Sequence, residues 1–159
     1  MTIMRVSYVG AQLAVEKKQE LASRLIEAFA RVEVGQSNPA VHGGFLVHFE
    51  AVDATDLYVG DAPMAKASEV GRSVLVTTQV MAGPWTDEMK SEIFGEVETV
   101  LRDALDMPRK EPGSDFWMTI TEVPEGGWGY GGRPASIAAL APVFTEDRQA
   151  RIRDYLSSR

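Results

Sequence analysis

Offset by 72 residues, the chain aligns with itself without a gap. Lys18 falls on Lys90, Leu25 on Val97, Phe29 on Leu101, Glu50 on Glu122, Tyr58 on Tyr130 and Gly60 on Gly132. Each copy reads as an apolar strand, an amphipathic helix, a second apolar strand and a glycine-containing arm. A helical crossover returns the chain parallel to its first strand, so each copy is a β-α-β unit. One such unit pairs only two strands and is too small to stand alone. Two side by side give a four-stranded sheet with both helices on one face, an α/β (α+β) fold. The expected organisation is a single fused domain over 1–159, with repeats at 2–72 and 73–140 and a helical tail at 141–159.

The elements follow from periodicity. Ile3 to Val9 predicts a strand with Met4, Val6 and Tyr8 on one face. From about Ala14 to Val32, the apolar residues Leu21, Leu25, Ala28, Phe29 and Val32 recur at spacings of three and four, one helical stripe. Gln36 to Pro39 reads as a loop and Gly44 to Val52 as a strand. In the second copy Ser73 to Met81 is a strand, and Thr86 followed by Asp87 and Glu88 is a helix start. Met89, Ile93, Val97, Val100, Leu101 and Ala104 form the second stripe. Pro108 to Gly113 breaks the chain before a strand from Asp115 to Val123, and Thr145 to Ser158 closes it as a helix.

The strands Phe45 to Phe49 and Phe116 to Ile120 carry apolar residues on both faces. The sheet face without helices is therefore expected to be buried against other copies of the chain. Net charge is -7 with both signs interspersed, which gives nucleic acid no electrostatic footprint. The absence of cysteine excludes disulfides, thiolate metal sites and a cysteine nucleophile. No apolar run approaches membrane-spanning length, and the first residues lack the basic start and apolar stretch of a signal peptide. The expected location is cytoplasmic, with no membrane or nucleic-acid partner.

The segment Pro124 to Arg133 includes Gly127, Gly129 and Gly132, a G-x-G-x-x-G spacing. No further parallel strand follows to complete a dinucleotide site, so the match is weak. The favoured reading is a short hairpin whose Trp128 and Tyr130 anchor on a neighbouring surface.

Thr121-Glu122 followed by Trp128-Gly129-Tyr130-Gly131-Gly132 and the small residues Ala135-Ser136 resembles the strand end and hairpin of the 4-oxalocrotonate tautomerases. The resemblance runs from about Thr2 to Leu140, and the chain is identified on it as a fused member of the tautomerase superfamily. It implies a homotrimer standing in for a hexamer of single units, and a cofactor-independent keto-enol isomerase for a small carbonyl or carboxylate compound. It implies no cofactor and no metal. Members use an amino-terminal proline as base or acid and arginines to hold a carboxylate. Here Thr2 stands at the proline position, with Val74 at the start of the second copy. Gln12 and Pro84 stand at the first arginine position, and Phe45 and Trp117 at the second. The resemblance thus implies altered catalytic machinery.

Thr2 and His48 are the candidate catalytic residues. Removal of Met1 would leave Thr2 with a primary amine of ordinary pKa about 8 beside a hydroxyl. His48 reads first as a satisfied core histidine, with Ile120 as its counterpart, and His42 as a solvated loop residue. Gln12, Phe45, Trp117, Trp128 and Arg133 are the candidate substrate-binding residues, with an apolar pocket between subunits built by Phe45, Trp117 and Trp128. Glu50 and Glu122 are equivalent carboxylates at strand ends. Two other readings stay open: a ligand-binding or assembling protein that keeps the fold, and a hydratase- or dehalogenase-like lyase or hydrolase.

Overall fold

Alternation in the first strand, β1 (Thr2–Val9), sends Thr2, Met4, Val6 and Tyr8 into the interior and turns Ile3 and Arg5 outward. The computed structural model describes residues 1–10, 12–64, 72–109 and 115–159. The helical stripe becomes α1 (Val15–Phe29), in which Leu21, Leu25, Ala28 and Phe29 are buried. A π-helical turn, Ala30–Val34, continues it, and Gly35 ends it with a left-handed φ of 83° that a side chain adopts only with strain. Part of the expected loop is a short helix, α2 (Pro39–His42). Asn38 caps it by accepting hydrogen bonds from the amides of Ala40 and Val41. The chain continues as β2 (Phe45–Val52) and the hairpin β3 (Tyr58–Val59) and β4 (Ala62–Pro63).

The second unit contains β5 (Ser73–Met81), α3 (Asp87–Leu105), β6 (Phe116–Val123) and the hairpin β7 (Gly129–Tyr130) and β8 (Arg133–Pro134). Thr86 caps α3 as expected, its hydroxyl accepting from Met89 N at 3.3 Å. Two further helices follow, α4 (Ile137–Leu140) and α5 (Glu146–Ser157). Residues 65–71, just before the expected junction at Arg72 and Ser73, and most of the break at Pro108 to Gly113 lie outside the described residues.

The large sheet has strand order β2-β1-β5-β6. Within each unit the strands are parallel, while β1 and β5 meet antiparallel. Both helices cover one face. Met4, Val6 and Tyr8 of β1 and Val74, Val76 and Val80 of β5 join Leu25, Phe29, Val32, Ile93, Val97 and Leu101 in one core. Burying each such side chain contributes roughly 1.5–3 kcal/mol. Because the central pair is antiparallel, Thr2 lies beside Val80 and Val9 beside Ser73. The two units therefore open their strand starts at opposite ends of the sheet.

Three expectations are corrected by this packing. First, the repeat is not gapless. In β2 and β6 the same burial alternation begins at Phe45 and at Phe116, and the hairpins pair from Tyr58 and from Gly129. From the second strand onward the true offset is thus one residue shorter than in the first strand and helix. Trp117 corresponds to Leu46, Thr119 to His48 and Thr121 to Glu50. The matches of Glu50 with Glu122 and Tyr58 with Tyr130 are coincidences of a slipped register, and a one-residue slip exchanges the faces of a strand. Glu122 instead pairs with Lys90 at 2.7 Å.

Second, the open sheet face is not apolar throughout. Ile3 and Leu46 are exposed at one end and Trp117 at the other, but Arg5, His48, Thr77, Gln79 and Thr119 lie exposed between. Third, His48 is not a core histidine. It is exposed on the open face because Phe45, Val47 and Phe49 take the interior positions of β2.

Candidate functional site

The end of the π-helical turn must satisfy carbonyls that have no partner within the helix. The carboxy-terminal segment supplies the donors. Thr145 N donates to Val34 O at 3.0 Å and Arg148 Nε to Val32 O at 3.1 Å. Gln36 Nε2 returns a bond to Val143 O at 2.6 Å. These contacts hold Leu140, Val143 and Phe144 over the start of β1, where they roof a cavity of about 470 Å³. Its walls are Met1, Thr2 and Ile3, the α2 loop with Val41 and Gly44, Phe45 and Leu46 at the start of β2, and the arm residues Trp128, Gly129 and Tyr130. The lining is predominantly apolar, and among the described residues it includes no lysine or arginine side chain. Small-molecule sites have this character: a concave apolar pocket with few polar groups.

Trp128 is buried, with Met81, Ile137, Phe144 and Ile152 around it. The expectation that this arm aromatic anchors on a neighbouring surface is corrected for Trp128, because α4 and α5 fold back over it in the same chain. Tyr130 stays exposed. The indole Nε1 of Trp128 has no hydrogen-bond acceptor among the described residues.

Thr2 contributes the polar part of the cavity. Its amide donates to Gly44 O at 3.0 Å. Its hydroxyl donates to Glu33 Oε2 at 2.5 Å, although the two residues are 31 positions apart. Glu33 sits in the π-helical turn and is fully buried, and its other oxygen, Oε1, has no hydrogen-bond partner among the described residues. Burial pushes the Glu33 carboxyl up from its ordinary 4.5, against the smaller downward pulls of the Met1 α-amine and the Thr2 hydroxyl. Sequence reading passed over Glu33, yet a signal was present. It follows Phe29 by four and Leu25 by eight, so it places a carboxylate on the apolar stripe of the helix.

The other candidates are dispersed. Phe45 and Trp128 share the Thr2 cavity. His48 lies three residues beyond Phe45 on the opposite face of β2, about 10 Å along the strand from the level of Thr2. Gln12 is exposed beyond the far end of β1, and Arg133 is exposed on β8 outside the cavity lining. Trp117 belongs to a second cavity of about 310 Å³ at the other end of the sheet, with Leu57, Tyr58, Met64, Ser73 and Leu75. This is the second unit's counterpart of the Thr2 cavity, and among the described residues its lining holds no carboxyl or amine side chain. At the two key positions the second unit carries Val74 for Thr2 and, with the helix ends Gly35 and Asp106 matched, Ala104 for Glu33.

No protein-family profile matches the chain. No curated protein matches it. Solved structures do. A native fused 4-OT is 22% identical with a TM-score of 0.66, over 84% of this chain and 95% of that one. N1, a member of the cis-3-chloroacrylic acid dehalogenase family, is 18% identical with a TM-score of 0.66, over 96% and 99%. Macrophage migration inhibitory factor of Toxoplasma gondii is 12% identical with a TM-score of 0.63, over 84% and 99%. With two β-α-β units joined in one chain around a mixed four-stranded sheet, the protein has the fold of the tautomerase superfamily.

Proposed function

We propose that the protein is a superfamily member acting as a cofactor-independent keto-enol isomerase on a small neutral carbonyl compound, bound in the cavity at the start of β1. The observation that carries this reading is the pairing of a largely apolar, ligand-sized cavity with a buried hydroxyl-carboxyl pair, Thr2 and Glu33, at its wall. Proton transfer to or from carbon needs a positioned acid-base group in a site sheltered from water. Among the described residues the lining holds no lysine or arginine, and the charge of the Met1 α-amine is already drawn to the buried Glu33 carboxyl, which favours a neutral substrate over a carboxylate, because a buried carboxylate needs a cationic partner of its own. The missing cations equally support a second reading, a binding protein that holds such a compound without converting it.

Ketonisation of the enol of a phenylpyruvate ester, set beside phenylenolpyruvate itself, separates these readings. The expected result is acceleration of the ester above buffer, little effect on the free acid, and loss of the acceleration in Leu140→Trp, which fills the cavity from its roof. An ester rate equal to buffer for the wild type refutes the isomerase reading.

For assembly we propose a homotrimer. Ile3, Leu46 and Trp117 are 38%, 54% and 53% exposed on the uncovered sheet face, a pattern that favours burial against other copies. Fused 4-OT proteins of the same fold are described as trimers. Light scattering is expected to give the mass of three chains, and a monomer would overturn the proposal.

A further inference from the structure

Glu33 has no evident structural need for its charge. An apolar residue at its place would extend the Leu25-Phe29 stripe, and the second unit is apolar there, with Ala104 opposite Glu33 when Gly35 and Asp106, the left-handed residues that end the two helices, are matched. Burying a carboxylate with one oxygen unpartnered costs stability. Yet the other oxygen is engaged by a hydroxyl that itself stands at the cavity wall. A costly group placed one hydrogen bond behind a ligand-sized space is the arrangement of a proton reservoir.

Resting on the isomerase reading above, we propose that Glu33 is the proton acceptor of this cavity and that it exchanges protons with the bound carbonyl compound through the Thr2 hydroxyl. In the enolising direction the α-carbon's C–H bond breaks and its proton goes to Thr2 Oγ1. The hydroxyl's own proton moves along the existing hydrogen bond to Glu33 Oε2. The C–H electron pair becomes the C=C bond and the carbonyl oxygen becomes an enolate, which takes a proton from water at the cavity mouth. Glu33 then returns its proton to water by the same path, so charge and atoms balance and nothing is oxidised. The charged group that reaches Glu33 is the Met1 α-amine. Burial outweighs it and holds the carboxyl above its usual range, which makes it a stronger base than an exposed carboxylate.

The test is exchange of the α-protons of acetophenone for deuterium in D₂O, followed by proton NMR over a range of pH. Wild type is expected to exchange them well above buffer, with a rate that rises through a limb above the ordinary carboxylate range. Glu33→Gln keeps the shape and an acceptor for the Thr2 hydroxyl, so a merely structural role predicts unchanged exchange. The proposal predicts a fall of about 100-fold with loss of that limb. Thr2→Val is expected to lose exchange and Thr2→Ser to keep most of it. This pair leaves the carboxyl in place and so carries the test even where Glu33→Gln fails to fold. Full exchange in Glu33→Gln or in Thr2→Val overturns the relay while leaving a proton-transferring cavity. No exchange in a wild type saturated with acetophenone overturns the isomerase reading as well, so the two failures are distinguishable.

Discussion

On the proposed reading, Thr2 and Glu33 carry the chemistry of the first unit's cavity. A threonine stands where the superfamily's amino-terminal proline is expected, and its hydroxyl is bonded to a carboxyl that burial has raised from 4.5. The thermodynamic consequence has a definite sign. Between the unfolded and folded pKa values the native state binds more protons than the unfolded state, so stability falls as pH rises through that window. Below about 4.5 the cost is absent, and above the raised folded value it is fully present. Each pH unit inside the window costs about 1.4 kcal/mol. Denaturant melts at successive pH values are expected to show this decline in the wild type and its absence in Glu33→Gln. Parallel curves for the two proteins would mean that the carboxyl is not raised. Thr2 was legible in the sequence through its position. Glu33 was not found, because helix patterns were judged by their apolar members, and the informative residue was the polar one on the same stripe.

At the scale of elements, most boundaries were legible because periodicity and caps act locally. The strand Ser73–Met81 and the Thr86 cap stand where alternation and capping chemistry put them. What failed was register. Identities at Glu50 and Glu122 and at Tyr58 and Tyr130 supported an unbroken offset, but packing selects strands by which face is buried, and β2 and β6 match only one residue earlier. The slip removed His48 from the core and separated Trp117 from Phe45 as equivalents. The π-helical turn was also invisible, since its carbonyls are satisfied by Thr145 and Arg148, more than a hundred residues further on. Gly35 carries part of the same arrangement: a Cβ there would run into the Thr145 side chain. Glycine at this position therefore serves both the left-handed turn and the close approach of the segment that roofs the cavity.

The whole molecule uses its repeat unequally. The antiparallel contact of β1 with β5 puts two related cavities at opposite ends of one sheet, which a comparison of the copies could anticipate only in part. One cavity is larger, roofed by the carboxy-terminal helices, and backed by Thr2 and Glu33. The other has a mainly apolar wall among the described residues, and Val74 and Ala104 at the corresponding positions. Duplication allows such a division, because the core common to both units rests on burial, while the proposed chemistry would rest on a few groups in one of them. The most direct test is a crystal structure of the protein soaked with acetophenone. The predicted result is one molecule per chain between Phe45 and Trp128, with its carbonyl end toward Thr2 and the Trp117 cavity empty. Occupancy of the Trp117 cavity alone, or of neither cavity at saturating ketone, would contradict the assignment of the working site to the first unit.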